Sequence, residues 1–77
     1  MNEGFKTIIV LAGNFREYND FLEKSIWKDT KYNYEYVYAG KEEDIAGITA
    51  DEVIKIGTWY TVKDIYRLEQ FAMSRIR

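Results

Sequence analysis

The spacing of hydrophobic positions changes character along the chain, and each change marks an element. Thr7 to Ala12, "TIIVLA", is an unbroken apolar run rich in β-branched residues and followed by Gly13. It is too short for a typical helix, and a strand with no polar alternation is one buried on both faces, as at the centre of a parallel sheet. Asn14 stands where an N-cap belongs, with a side-chain oxygen able to accept from a free amide of the next turn. From Phe15 the spacing becomes helical. Phe15, Tyr18, Leu22 and Ile26 form one stripe with Phe21 beside it, while Arg16, Glu17, Asn19, Asp20, Glu23 and Lys24 fall largely elsewhere. The spacing predicts a helix from Phe15 to about Trp27, ending near Lys28 and Asp29.

"KYNYEYVYAG" then alternates, with tyrosine at 32, 34, 36 and 38. Period two is the mark of a strand, so the four phenols share one face. Gly40 closes it, and an acidic turn follows in which Ile45 and Ile48 point inward. "DEVIKIGTWY" is a third strand, with Ile54 and Ile56 on one side and Val53, Lys55 and Gly57 on the other, as suits an edge. Thr61, with Asp64 three residues on, resembles a capping box. The last helix carries a stripe of Ile65, Leu68, Ala72 and Ile76, widened by Val62, Phe71 and Met73, and ends with Arg75 and Arg77, the sign its dipole favours.

The order is β-α-β-β-α, an α/β fold. A fully buried first strand between two patterned ones predicts a three-stranded parallel sheet in the order 2-1-3, half of a doubly wound fold; a meander with an antiparallel third strand is the alternative. The connection from the second strand to the third is about 11 residues, near the lower limit for a crossover, and covers little of its face. One face is therefore thinly covered unless the last helix packs there. The tyrosine ladder is core if it points at the first helix, and an exposed aromatic patch if it points at the thin face.

Composition narrows the chemistry. A chain of 77 residues is one domain, residues 1–77, and buries only about 60% of its unfolded surface, so a second copy or a partner is a natural source of extra burial. There is no cysteine, histidine or proline. That removes disulfides, thiolate zinc sites, the usual general base near neutral pH and proline-rich linkers. The hydrophobic content of 47% with 17% aromatic residues is that of a folded domain. A net charge of −2 is neither the basic excess of a protein that binds nucleic acid directly nor the strong acidity of a DNA mimic. No apolar run approaches the roughly 18 residues of a membrane span, "MNEGFK" is not of signal-peptide type, and the expected compartment is the cytoplasm.

Ligands of open α/β sheets bind beyond the carboxyl ends of the strands, where the strand order reverses. Here that places Gly13, Asn14 and Arg16 beside Gly40 and Lys41, with Thr58, Trp59 and Tyr60 across from them. Gly13, Asn14, Arg16 and Lys41 are candidates for holding an anion or nucleotide, with Trp59 or Tyr60 to stack on a base. The same residues read as an ordinary turn, a cap and a roof over the core. "AGN" is neither a Walker motif nor a GxGxxG fingerprint. The carboxylates of "KEED" and of Asp51-Glu52 read as solvated surface, and Lys63, Arg67, Arg75 and Arg77 as a solvated helix. With no catalytic motif and no His or Cys, the expectation is that the chain is not an enzyme and needs no cofactor or metal.

"AGNFREY" and "DEVIKIGTWY" resemble a loose group of small phage-encoded proteins, which share a strand ending Gly-Asn-x-Arg-x-Tyr and a later one ending Gly-Thr-Trp/Tyr-Tyr before a final helix. Gly13, Asn14, Arg16, Tyr18, Gly57, Thr58, Trp59 and Tyr60 carry the likeness. The group has no settled activity. The resemblance implies a phage-type accessory protein that binds and blocks a bacterial host protein in the host cytoplasm, including as an anti-defence or anti-CRISPR factor. On that reading the contact residues are Tyr32, Tyr34, Tyr36, Tyr38, Trp59 and Tyr60. A nucleotide-binding or phosphate-binding module and a homo-oligomeric structural component, such as a homodimer, are the alternatives.

Overall fold

A computed structural model describes residues 5–25 and 33–77. Strand β1 (Phe5–Leu11) leads to helix α1 (Phe15–Ser25), strand β2 (Asn33–Tyr38), strand β3 (Glu52–Lys55) and helix α2 (Ile65–Met73), with 3₁₀ turns at Glu42–Asp44 and Trp59–Thr61. The sheet has the order β2-β1-β3. Both pairings are parallel, with Ile8 opposite Tyr36 on one side and Glu52 on the other. The parallel third strand excludes the meander.

β1 lies in the middle because its side chains suit burial on both faces. Ile8, Val10 and Ala12 pack towards α1 with Tyr18, Phe21, Leu22, Ile54 and Ile56. Ile9 and Leu11 face the other way, into a cluster with Ala39, Ile45, Ala50, Leu68 and Ala72. The second face is not thin. α2 packs on it, and Ile45, fully buried, fills the space beneath the β2–β3 connection, with Ile48 against it.

The two helices differ from their sequence patterns at the ends. Ile26, Trp27 and the expected end of α1 fall outside the described residues. Phe15, the first residue of the α1 stripe, is largely exposed. Thr61 does not cap α2: its hydroxyl donates to the Thr58 carbonyl at 2.7 Å within the 3₁₀ turn, and the helix starts four residues later. Asp64 takes the N-cap position in a left-handed conformation (φ 56°, ψ 38°) without a side-chain cap bond. Ile76 leaves the helix and forms a parallel bridge with Ala50. Arg77 N–H donates to the Ala50 carbonyl at 2.9 Å and Ala50 N–H to the Arg75 carbonyl at 2.8 Å. Asp51 N–H points the opposite way, to Thr7 of β1. Residues 75–77 therefore lie along the outer side of the β3 edge at its start, locked there by Arg77–Asp51 at 2.9 Å.

Candidate functional site

The carboxyl ends of the three strands bring together the loops at Gly13, Gly40 and Gly57. In the first loop Asn14 Oδ1 accepts from Glu17 N–H at 2.9 Å, the N-cap its position implies. The Glu17 side chain then turns back across the loop instead of into solvent. Its Oε1 accepts from Gly13 N–H at 2.9 Å and Thr58 N–H at 3.0 Å, and its Oε2 accepts from the Thr58 hydroxyl at 2.8 Å. One carboxylate thus ties the turn after β1 to the turn after β3. These bonds stabilise the charged form and lower the Glu17 pKa, the Thr58 hydroxyl most, then the Thr58 amide, with desolvation opposing them and the Gly13 amide adding least.

Two glycines leave the room this carboxylate occupies. A Cβ on Gly13 would stand 2.0 Å from Thr58 Oγ1 and 2.9 Å from Glu17 Oε1. A Cβ on Gly57, whose φ is +54°, would stand 2.4 Å from Glu17 Oε1. At Gly57 the Glu17 carboxylate would have to swing away, at Gly13 the Thr58 backbone carbonyl, 2.7 Å from the new Cβ, would also stand in the way, and Gly57 is left-handed as well.

The second loop repeats the device. Asp44 Oδ2 accepts from Gly40 N–H at 2.9 Å and Lys41 N–H at 3.1 Å. Tyr38 lies between the two carboxylates: its hydroxyl would touch a Cβ on Gly40 at 3.3 Å, and burial, then Asp44, then Glu17 raise its pKa. At the far end of β1, Asp51 Oδ2 likewise accepts from Thr7 N–H at 2.8 Å.

Of the candidate anion residues, Gly13 and Lys41 have their amides already engaged. Gly13 N–H is taken by Glu17 and Lys41 N–H by Asp44. The Asn14 side chain caps α1. Arg16 is exposed, and the Lys41 ammonium lies 3.5 Å from Glu43 on the surface, a pairing of small energetic weight. A cleft of about 420 Å³ opens between the Gly40 loop and the start of α2. Lys41, Lys63 and Arg67 line it together with Glu42, Glu43 and Asp64, and Arg67–Glu42 at 3.1 Å spans part of it. Its charges balance, so it has no net preference for an anion or a cation.

The tyrosine ladder faces α1. Tyr34, Tyr36 and Tyr38 are half-buried against the α1-side cluster. Tyr38 meets Tyr18 and Phe15 at ring separations of 5.2 and 5.5 Å, and Tyr36 meets Phe21 edge-on at 5.1 Å. The Tyr18 hydroxyl donates to the Tyr36 carbonyl at 3.0 Å. Tyr32 lies outside the described residues. Trp59 packs on the opposite side of the sheet, under α2, with the Lys55 ammonium 4.8 Å from its ring. Tyr60 stands edge-on to Trp59 at 6.0 Å and is 62% exposed. The ladder and the Trp59–Tyr60 pair are therefore two separate aromatic surfaces.

Sequence reasoning missed Glu17, the residue at the centre of this end of the sheet, and placed it with the solvated face of α1. The signal was present: Asn14-x-x-Glu17 has the spacing of a capping box, in which the third helical residue reaches back to a preceding amide. Among the described residues no cluster of three His, Cys, Asp or Glu side chains is placed to hold a metal, and no helix is long and apolar enough to cross a membrane. Comparison with protein-family models, characterised proteins and solved structures yields no match to this chain.

Proposed function

We propose that this chain is a non-catalytic binding protein that docks on and blocks a bacterial host protein, in the manner of the small phage-encoded proteins its motifs resemble, with an anti-defence or anti-CRISPR role as the particular case. The observation that carries this reading is the set of large apolar side chains left outside both cores. Tyr66 is 81% exposed, Tyr60 62% and Met73 51%. Tyr66 and Met73 are seven residues apart on α2 and so share its outer face. Tyrosine and methionine are enriched at protein interfaces because they give large contact area, the tyrosine with a hydrogen-bonding tip. The polar ends of the strands, whose amides are satisfied internally, favour this surface over the small-ligand reading. The test is capture of a host protein from bacterial lysate by the wild-type chain and by a Tyr60→Ala/Tyr66→Ala variant. The variant should keep its circular dichroism spectrum and lose the partner. Capture by the variant at undiminished stoichiometry would sink this choice of surface.

A further inference from the structure

We infer that the outer face of α2 docks an acidic protein surface, with Tyr66 and Met73 as its apolar contacts and Lys63 and Arg67 as the groups that receive the partner's carboxylates. This deepens the reading above and rests on it, since it takes α2 as the docking face.

Tyr66, Gln70 and Met73 lie at helical spacing and are all exposed, so they form one outward stripe. Arg67 follows Tyr66 directly, Lys63 stands just before the helix, and both are exposed. The other charges of this region are turned elsewhere. Glu69 pairs with Lys55 of β3, Arg75 Nε donates to the Ile48 carbonyl at 2.8 Å, and Arg77 pairs with Asp51. Asp64 is the remaining carboxylate, at the end of α2 where the helix dipole partly offsets its charge.

The one ion pair on this face has its cation outermost. Arg67 Nε contacts Glu42 at 3.1 Å, and the Arg67 side chain is 80% exposed against 39% for Glu42. A guanidinium carries five N–H donors, so the inner contact orients it and leaves donors for a second carboxylate arriving from outside. Lys63 has no ion-pair partner among the described residues. A chain of net charge −2 thus presents its cations around an exposed tyrosine and methionine, and the complementary surface is an acidic one with apolar side chains.

Nucleic acid fits this face less well. Glu42 and Glu43 line the same cleft as Lys63 and Arg67, and the Lys41–Glu43 pair there is exposed on both members. Those carboxylates repel a continuous phosphate backbone, whereas a protein can place single carboxylates at Lys63 and Arg67 and apolar groups at Tyr66 and Met73.

Selection of a surface-displayed library of short random peptides on the wild-type chain tests this. Enriched peptides should combine Asp or Glu with at least one large apolar residue. Fluorescence anisotropy then compares the best peptide on wild type, Lys63→Gln/Arg67→Gln, Lys63→Glu/Arg67→Glu and Tyr66→Ala, each checked by circular dichroism. The neutral double variant should bind about tenfold more weakly, the charge-reversed one more weakly still, and added sodium chloride should weaken wild type. If the reversed variant does not fold beside Glu42 and Glu43, the neutral one carries the comparison. The inference is overturned if no peptide enriches, if the enriched peptides are not acidic, or if the neutral variant binds as tightly as wild type. Binding of single-stranded DNA through Lys63 and Arg67, with no binding of acidic peptides, also overturns it. A peptide that needs Tyr66 and neither cation keeps α2 as the docking face and overturns the acidic partner. Acidic peptides held by Lys63 and Arg67, with no host protein retained from lysate, support this inference and overturn the host-blocking role.

Discussion

Glu17 and Thr58, 41 positions apart in sequence, are joined by two hydrogen bonds, one from the Thr58 amide at 3.0 Å and one from its hydroxyl at 2.8 Å. Thr58→Val removes only the hydroxyl donor and should lower the melting temperature by a few degrees. In Glu17→Gln the same change should cost much less, because the charged acceptor is gone. A double-mutant cycle on thermal unfolding measures the difference, and additive effects would show that the pair is not coupled.

The same contact sets an acid limit. The folded-state pKa of Glu17 lies below its ordinary value, the Thr58 hydroxyl being the largest cause. A depressed carboxylate contributes stability that is complete above the unfolded-state pKa, about 4.3, and is lost as pH falls through the folded value. Denaturant titrations should therefore show wild type losing more stability below about pH 4.5 than Glu17→Gln does. Parallel pH profiles for the two proteins would refute the assignment. At the other extreme Tyr18 and Tyr38 have raised pKa values, from burial first and, for Tyr38, from the Asp44 and Glu17 carboxylates as well. Their contribution is complete below the unfolded tyrosine pKa of about 10 and is lost as pH rises above it.

Gly57→Ala meets two penalties at once. A left-handed φ of +54° costs a non-glycine residue about 1–2 kcal/mol, and the new Cβ would stand 2.4 Å from Glu17 Oε1. The loss should be larger than that of Gly47→Ala, where φ is +85° but the space is open. Equal midpoint shifts in urea for the two variants would show that the Glu17 contact adds nothing.

Asp64 offers the opposite experiment. It is the one described non-glycine residue with positive φ, and its side chain makes no cap bond. Asp64→Gly should relieve the backbone strain and raise stability by up to about 1 kcal/mol, the entropy of the unfolded glycine offsetting part of the gain. Chemical denaturation checks this, and a lower midpoint would mean that Asp64 has a stabilising role in solution.

Tyr18→Phe isolates one buried hydroxyl. Tyr18 is 8% exposed, and its hydroxyl bond to the Tyr36 carbonyl ties α1 to β2. Its loss should cost about 0.5–1.5 kcal/mol without disturbing the ring packing. Leu11→Ala, in the opposite core, should cost more, about 2–5 kcal/mol. Urea unfolding of the two variants gives the ranking directly.

Several features of the fold follow from local pattern because local pattern is what forms them. "TIIVLA" has no polar face, so the strand it forms must be central. The ladder from Asn33 to Tyr38 alternates, Asn14 caps α1, and Ile45 enters the core. Strand order follows once β1 is central and its neighbours are patterned on two sides, whereas the sequence left the direction of the third strand open between parallel and a meander, and the tertiary pairing made it parallel. The start of α2 was misread because Thr61 and Asp64 imitate a capping box, whereas the Thr58 carbonyl takes the Thr61 hydroxyl and holds a 3₁₀ turn there.

The sequence by itself determined which segments are strands and helices and which side chains share a face, since these depend on periodicity and on neighbours within a few residues. Only the tertiary structure decided what those faces meet. It set the tyrosine ladder against α1, brought α2 onto the second face, and closed the Gly13 and Gly40 loops with Glu17 and Asp44. The physical reason is that an amide donor at a strand end accepts any well-placed oxygen. Whether that oxygen belongs to a ligand or to the chain depends on a distance between segments such as Glu17 and Thr58, and no local pattern encodes it.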